Sequence, residues 1–145
     1  MSKMQVKDPE FRRRVTDDFE RQQVMKTLGI VLTRLAPGEV DLEFPFDDRL
    51  TQQHNFIHAG IIATALDSAC GYAAFTLMEA GSEVLTIEFK TNLLSPAIGE
   101  RFAFRAKVVR SGRTVSVSEG RAYAITGAGE KLVATMTATL MAVSV

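Results

Sequence analysis

Cysteine is almost missing from this chain: among 145 residues only Cys70 carries a thiol. An internal disulfide framework is therefore excluded, and a lone thiol suits a reducing compartment. An excess of one charge is missing too. Lys plus Arg number 17 and Asp plus Glu number 17, for a formal net charge of zero. Nucleic acid and acidic membranes usually select a basic balance or a basic face, so neither is expected as a partner. Histidine is confined to His54 and His58. Without HExxH or a third histidine, these two and Asp67 make a thin ligand set, and no metal is expected. GxSxG, Walker and Rossmann fingerprints are also lacking, so no cofactor is expected. Internal repeats and low-complexity tracts are absent as well.

Long apolar runs are scarce, with one exception. Ala59 to Met78 holds a single charge, Asp67. Its length suits a membrane span, but it is rich in Ala, Gly, Ser and Thr, and the rest of the chain is amphipathic. A helix buried inside a folded domain is the expectation. Near the start, Arg12, Arg13 and Arg14 are followed by Asp17, Asp18 and Glu20 rather than by an apolar stretch. That pattern argues against a leader and for a cytoplasmic protein. What remains is an ordinary globular composition, 46% apolar and 23% charged, in a chain long enough for one domain with a proper core.

The local patterns give the element order. Asp8-Pro9-Glu10 reads as a helix start, with Asp8 as N-cap, and Phe11, Val15 and Phe19 follow at helical spacing. Ile30 to Leu35 and Val40 to Phe46 read as two strands around the turn Ala36-Pro37-Gly38. After the apolar helix the period drops to two. In Val84 to Leu94, residues Leu85, Ile87, Phe89 and Leu93 alternate with Thr86, Glu88, Lys90 and Asn92. In Arg101 to Arg110, Phe102, Phe104, Ala106 and Val108 mark one face. Ser111-Gly112 has the composition of a two-residue hairpin turn. Thr114 to Ile125 and Leu132 to Val143 complete the set, flanking the loop Gly127-Ala128-Gly129. The buried face of Thr114 to Ile125 stays open, because Glu119 and Arg121 share the parity of Val115 and Val117. Strands grouped together imply a mostly antiparallel sheet. The expected fold is α+β: a curved sheet wrapped around one long central helix. Residues 1–28 form an N-terminal helical segment and residues 29–145 a single domain.

The stretch Gln52-Gln53-His54-Asn55-Phe56-Ile57-His58-Ala59-Gly60 places polar groups and small residues where the buried helix begins. A helix N-terminus presents unpaired N–H groups and partial positive charge, which suits a carbonyl oxygen becoming an oxyanion. An ordinary polar cap on a core helix accounts for the stretch equally well. Asp67 lies two turns into that helix, where a carboxylate is costly unless paired or protonated. It is a candidate general base or nucleophile; the alternative is a structural Asp bonded to backbone or to a neighbouring subunit. Cys70, on a buried small-residue helix, reads as packing. Arg110 and Arg113 flank the Ser111-Gly112 turn, and they are either phosphate ligands or solvated arginines.

His58-Ala59-Gly60 together with Asp67-Ser68-Ala69-Cys70-Gly71 resembles the signature of phenylacetate-degradation-type (PaaI) hot-dog thioesterases. Leu85 to Lys90, Leu93 to Ala97 and Val108 to Arg113 are similar to that family's sheet motifs, from about Gly29 to Met141. The resemblance implies a hot-dog fold and hydrolysis of an acyl-CoA without cofactor. It also implies a homodimer or dimer of dimers with active sites at the interface. Within it Asp67 would attack the thioester or activate water. The N–H of Ala59, with Gly60, would polarise the carbonyl, Gln52 would position carbonyl or water, and Thr86 would stand near the attacking water. His54, Asn55, His58 and Ser68 would contact substrate, and Arg110, Ser111, Gly112 and Arg113 would meet the phosphates of coenzyme A. Two positions depart from the family pattern: Ala59 stands for the first Gly of HGG, and Gln52 for Asn. A non-catalytic acyl-CoA-binding protein is the alternative, and a hydratase on the same fold ranks behind both.

Overall fold

The computed structural model describes residues 4–144. The apolar run folds as α3 (Ala59–Phe75). It ends before Met78, and among the described residues no helix is long and apolar enough to cross a membrane. Two short helices precede it, α1 (Phe11–Arg21) and α2 (Gln23–Leu28). Between them Gln22 takes an extended backbone that breaks the helix. Asp8 does cap this segment, accepting from Glu10 N–H at 2.9 Å, but the turn it caps precedes the helix, which begins at Phe11. Phe11, Val15 and Phe19 are buried, as their spacing predicts.

Six strands form one sheet: β1 (Val31–Ala36), β2 (Glu39–Pro45), β3 (Ser82–Leu93), β4 (Arg101–Ser111), β5 (Val115–Thr126) and β6 (Gly129–Ser144). Their order is β1-β2-β4-β5-β6-β3, and every neighbouring pair is antiparallel. The connection that carries α3 therefore runs from β2 to the far edge and lays the helix across the sheet.

Small side chains let β5 lie close under the helix. The buried face of β5 is Ser116, Ser118, Gly120, Ala122 and Ala124. A Cβ on Gly120 would sit 3.0 Å from Cys70 Sγ and 3.1 Å from Leu66 Cδ2. The face that composition left undecided is thus the one with small residues, because close approach of helix to sheet outweighs side-chain hydrophobicity. On β2 and β4 the buried positions include rings. Phe44 packs against Phe104 with centroids 5.4 Å apart and against Phe102 at 5.3 Å. Such aromatic pairs add about 0.5–1.5 kcal/mol beyond the area they bury.

Arg14 fastens α1 to the end of α3. Its guanidinium donates to the carbonyls of Phe75 (2.8 Å), Met78 (2.9 Å) and Glu79 (2.6 Å), at and just beyond the end of α3. It also stacks over the Phe75 ring at 4.5 Å.

Two strand expectations are corrected. The alternation read in β3 does not hold, because the register shifts between Thr86 and Glu88. Thr86 pairs with Leu140, while Phe89 and Leu93 pair with Ala138 and Ala134. Those three β6 residues are buried under the helix, so Thr86, Phe89 and Leu93 share the helix side of the sheet and Leu85 lies opposite. The bulge inserts one residue and so reverses the parity of everything after it. The hairpin tip also moves. Gly112 N–H donates to the Val115 carbonyl at 3.0 Å, which puts Arg113 and Thr114 at the turn and Ser111 at the end of β4. Gly112 is required for a different reason from turn chemistry: a Cβ there would lie 2.3 Å from the Val115 oxygen.

Candidate active site

The loop before α3 is a small closed structure. Thr51 and Ile57 form an antiparallel bridge. Inside it Gln52 N–H donates to the Phe56 carbonyl at 2.8 Å, and Asn55 N–H to the Gln52 carbonyl at 3.0 Å. Asn55 takes a left-handed φ of 68°, which Asn tolerates better than most residues. The Gln52 Oε1 accepts from the N–H groups of His54 and Phe56. Its carbonyl oxygen is thus spent on the loop, leaving the amide NH2 to meet a ligand. The loop is held to the rest by Ile57 N–H on Ala97 O (3.1 Å) and His58 N–H on Leu50 O (2.9 Å).

His58 is the N-cap of α3. Its Nδ1 accepts from Gly60 N–H at 2.8 Å, so the neutral ring carries its proton on Nε2. The His58 carbonyl takes Ile61 N–H at 2.9 Å and Ile62 N–H at 3.2 Å. In this first turn Ala59 N–H alone has no acceptor among the described residues. The expected pairing of Ala59 with Gly60 as carbonyl-polarising donors is corrected accordingly. The Gly60 N–H is engaged by the cap, and Gly60 is needed because a Cβ would stand 3.1 Å from His58 Nδ1.

Gln52, His58 and Ala59 line one cavity of about 440 Å3, closed by Leu93 to Ala97 and by Val133 and Ala134. His54 and Asn55, expected beside the substrate, are not among its lining residues. They sit on the exposed outer turn of the loop, with the His54 ring 6.2 Å from Phe56.

Asp67 lies eight residues further along α3, about 12 Å on a rise of 1.5 Å per residue. It is half-buried, and Thr86 Oγ1 donates to its Oδ1 at 2.8 Å. This bond holds the carboxylate in one orientation and exists because the β3 bulge turns Thr86 toward the helix. Asp67, Ser68 and Thr86 line a second cavity of about 280 Å3, shared with Asp18, Gln22 and Tyr72. Sequence reasoning missed these last three. Tyr72 sits on α3, while the other two come from the N-terminal segment, where no pattern of residues marks them as site-forming.

Within one chain these are two separate cavities. The free Ala59 N–H lines one cavity and the Asp67 carboxylate the other.

The remaining candidates fall outside both. Cys70 is fully buried, and its thiol is pushed up to about 12 by burial first, then by the charges of Asp67 and Glu119. It stays a neutral thiol at working pH, which suits packing rather than attack. Arg110 and Arg113 are exposed near and at the β4–β5 tip, and neither forms an ion pair among the described residues. Ser111 and Gly112 shape that tip. None of the four lines either cavity.

An antiparallel six-stranded sheet wrapped on one long helix, with a polar cap at the helix start and a carboxylate two turns in, defines a hot-dog fold of the thioesterase kind. The Thioesterase superfamily matches residues 54–131, more than half of the chain. The protein belongs to that superfamily, whose reaction is thioester hydrolysis. A solved thioesterase family protein from Silicibacter pomeroyi is 58% identical, with a TM-score of 0.92 over 93% of this chain and 99% of that one. The PaaI protein of the E. coli phenylacetic acid degradation operon shares the fold at 16% identity, with a TM-score of 0.83 over 97% of each chain. Mouse acyl-coenzyme A thioesterase 13 is 26% identical over 60% of this chain and 62% of its own length.

Proposed function

We propose that the protein hydrolyses acyl-CoA thioesters to the free acid and coenzyme A, in sites completed across a homodimer. The observation that carries this reading is the division of the machinery. The free Ala59 N–H and the Thr86-bound Asp67 line separate cavities, so a working site needs two chains. The edge strand β3 supports the same reading. Leu85, Ile87, Phe89 and Leu93 are 45–58% exposed on it, and an unpaired edge with apolar side chains calls for a partner. Two β3 edges joined would bring Asp67 of one subunit toward Ala59 of the other. The name of the mouse relative supports coenzyme A as the thiol.

In such a site the carbonyl oxygen accepts from Ala59 N–H, and the Gln52 amide orients it or the water. Asp67 either takes a proton from the water that attacks the carbonyl carbon, the proton that later goes to the sulfur, or attacks the carbon itself. The second route forms a mixed anhydride that water then hydrolyses to the free acid. Negative charge collects on the oxygen at the helix N-terminus, the C–S bond breaks, and the coenzyme A sulfur leaves and is protonated. Thr86 keeps the carboxylate aimed.

The test is complementation, read as thiol release from acyl-CoA. Asp67→Asn and Ala59→Pro chains, each nearly inactive alone, are mixed with subunit exchange. Random pairing in a symmetric dimer gives about a quarter of the parent sites intact. If the mixture stays as inactive as its components while hybrid dimers form, the shared site is wrong.

The phosphates of coenzyme A need local cations in a chain of zero net charge, and Arg110 and Arg113 are free to supply them. Replacing both with Ala is expected to raise KM several-fold with kcat nearly unchanged, the mark of lost uniform binding. The effect should shrink at high salt, and an acyl-pantetheine substrate should be indifferent. Equal damage on the pantetheine substrate would show the arginines to be structural.

A further inference from the structure

The far wall of the Asp67 cavity is built by a relay of side chains that links the N-terminal helices to α3. Ser68 Oγ donates to Gln22 Oε1 at 2.8 Å. Gln22 Nε2 donates to the Tyr72 hydroxyl at 2.9 Å, and that hydroxyl donates to Asp18 Oδ1 at 2.9 Å. Ser68 and Tyr72 are four residues apart and share a face of α3, so the relay runs along the helix away from Asp67. Burial, then the Asp18 charge, holds the Tyr72 hydroxyl well above the usual tyrosine range. The relay therefore keeps its proton directions at working pH.

Both ends of the Gln22 amide are tied, which sets its orientation. A glutamine amide carries two donor hydrogens and two acceptor lone pairs, and one of each is used here. The second hydrogen and second lone pair have no partner among the described residues, on a residue that lines the cavity. Of the eight lining residues only Gly71 and Val84 lack a polar side chain. The cavity measures about 280 Å3, enough for a small polar group and not for a long chain. A plain alkyl tail there would strip water from the relay and return no hydrogen bonds. A carboxylate tail would meet Asp18 and Asp67.

We propose that Gln22 determines acyl specificity, selecting short acyl groups whose far end carries a neutral group that both donates and accepts, such as a hydroxyl. The inference rests on the acyl-CoA reading above. It deepens that reading by naming the substrate class and a residue outside the catalytic groups.

The test compares hexanoyl-CoA with 6-hydroxyhexanoyl-CoA on the full chain. Parent enzyme is expected to favour the hydroxylated substrate at least about tenfold in kcat/KM, since a site built to bond a hydroxyl rejects the analogue without one. Gln22→Met keeps the length and removes both bonding groups, so it should erase the preference, lowering kcat/KM for the hydroxylated substrate about tenfold more than for hexanoyl-CoA. Tyr72→Phe keeps the ring and releases one end of the amide, and it should shift the preference in the same direction. If the parent releases thiol from other acyl-CoAs but from neither of these, the specificity inference is overturned; if it releases thiol from no acyl-CoA, the acyl-CoA reading itself fails. If it hydrolyses both without preference, or Gln22→Met slows both equally, Gln22 only ties helices together and the specificity inference is overturned. Should Gln22→Met not fold, Tyr72→Phe decides by the same criterion.

Discussion

Asp67→Asn is expected to lower kcat at least about a hundredfold, the scale of a positioned acid–base group, while acyl-CoA still binds. The substitution is nearly isosteric. Thr86 Oγ1 can still donate to the amide oxygen that replaces Oδ1, so the helix, the bulge and the cavity have no reason to change. What disappears is the ability to take a proton or to attack a carbonyl carbon. Cys70, three residues on, offers no substitute, because burial, the largest cause of its raised pKa, remains when the Asp67 charge is gone and keeps the thiol protonated. Steady-state thiol release with a binding titration checks the outcome. An Asn variant that turns over within a fewfold of parent would remove Asp67 from the mechanism, and with it the role assigned to Thr86.

Ala59→Pro is expected to cost about 100- to 1000-fold in kcat, the usual effect of losing one oxyanion donor. Proline at this position replaces the N–H hydrogen with a ring carbon and adds two carbons in all. Ala59 is the first residue of α3, where proline is favoured, and its N–H makes no bond to be broken. The preceding residue must be extended to accept a following proline. His58 already is, with φ −58° and ψ 137°. Circular dichroism and melting temperature should therefore match the parent while turnover collapses. Ala59→Val is the control, since it adds comparable bulk to the cavity and keeps the N–H. If Val is as damaging as Pro, the loss is steric and the N–H is not the oxyanion donor. If Pro is nearly harmless, the carbonyl is polarised elsewhere.

Both substitutions bear on residues that stand out in the sequence, and the reason is local. Asp67 is the only charge in an apolar helix, an anomaly visible without any partner in view. The small residues Ala59 and Gly60 after His58 mark a helix start whose backbone must stay accessible. What those residues do individually is less legible. Ala59 and Gly60 look equivalent as donors, yet only one is free, because the His58 imidazole folds back onto Gly60. That choice depends on a side-chain rotamer, which composition does not encode. Gln52 likewise looks like a bare amide in sequence, and its oxygen turns out to be committed to the loop that carries it.

By itself, the sequence determined the kind and order of elements. Helix α3 follows from an apolar run without β-breaking turns, and β4 follows from period-two placement of Phe102, Phe104, Ala106 and Val108. The odd placement of Asp67 follows from burial cost alone. These are short-range consequences of the backbone period and of solvation, and they need no knowledge of neighbours. Tertiary structure alone decided the rest. The β3 bulge, which a strict alternation cannot show, turned Thr86 onto the helix side and made it a partner of Asp67. The burial of Ser118 and Gly120 rather than Val115 and Val117 came from how closely α3 lies on β5. Gln22 reached Ser68 across 46 residues because Arg14 and the α1 apolar face fasten the N-terminal helices against α3. Each of these depends on register and on contacts between distant segments, where a shift of one residue or one ångström reverses which atoms meet.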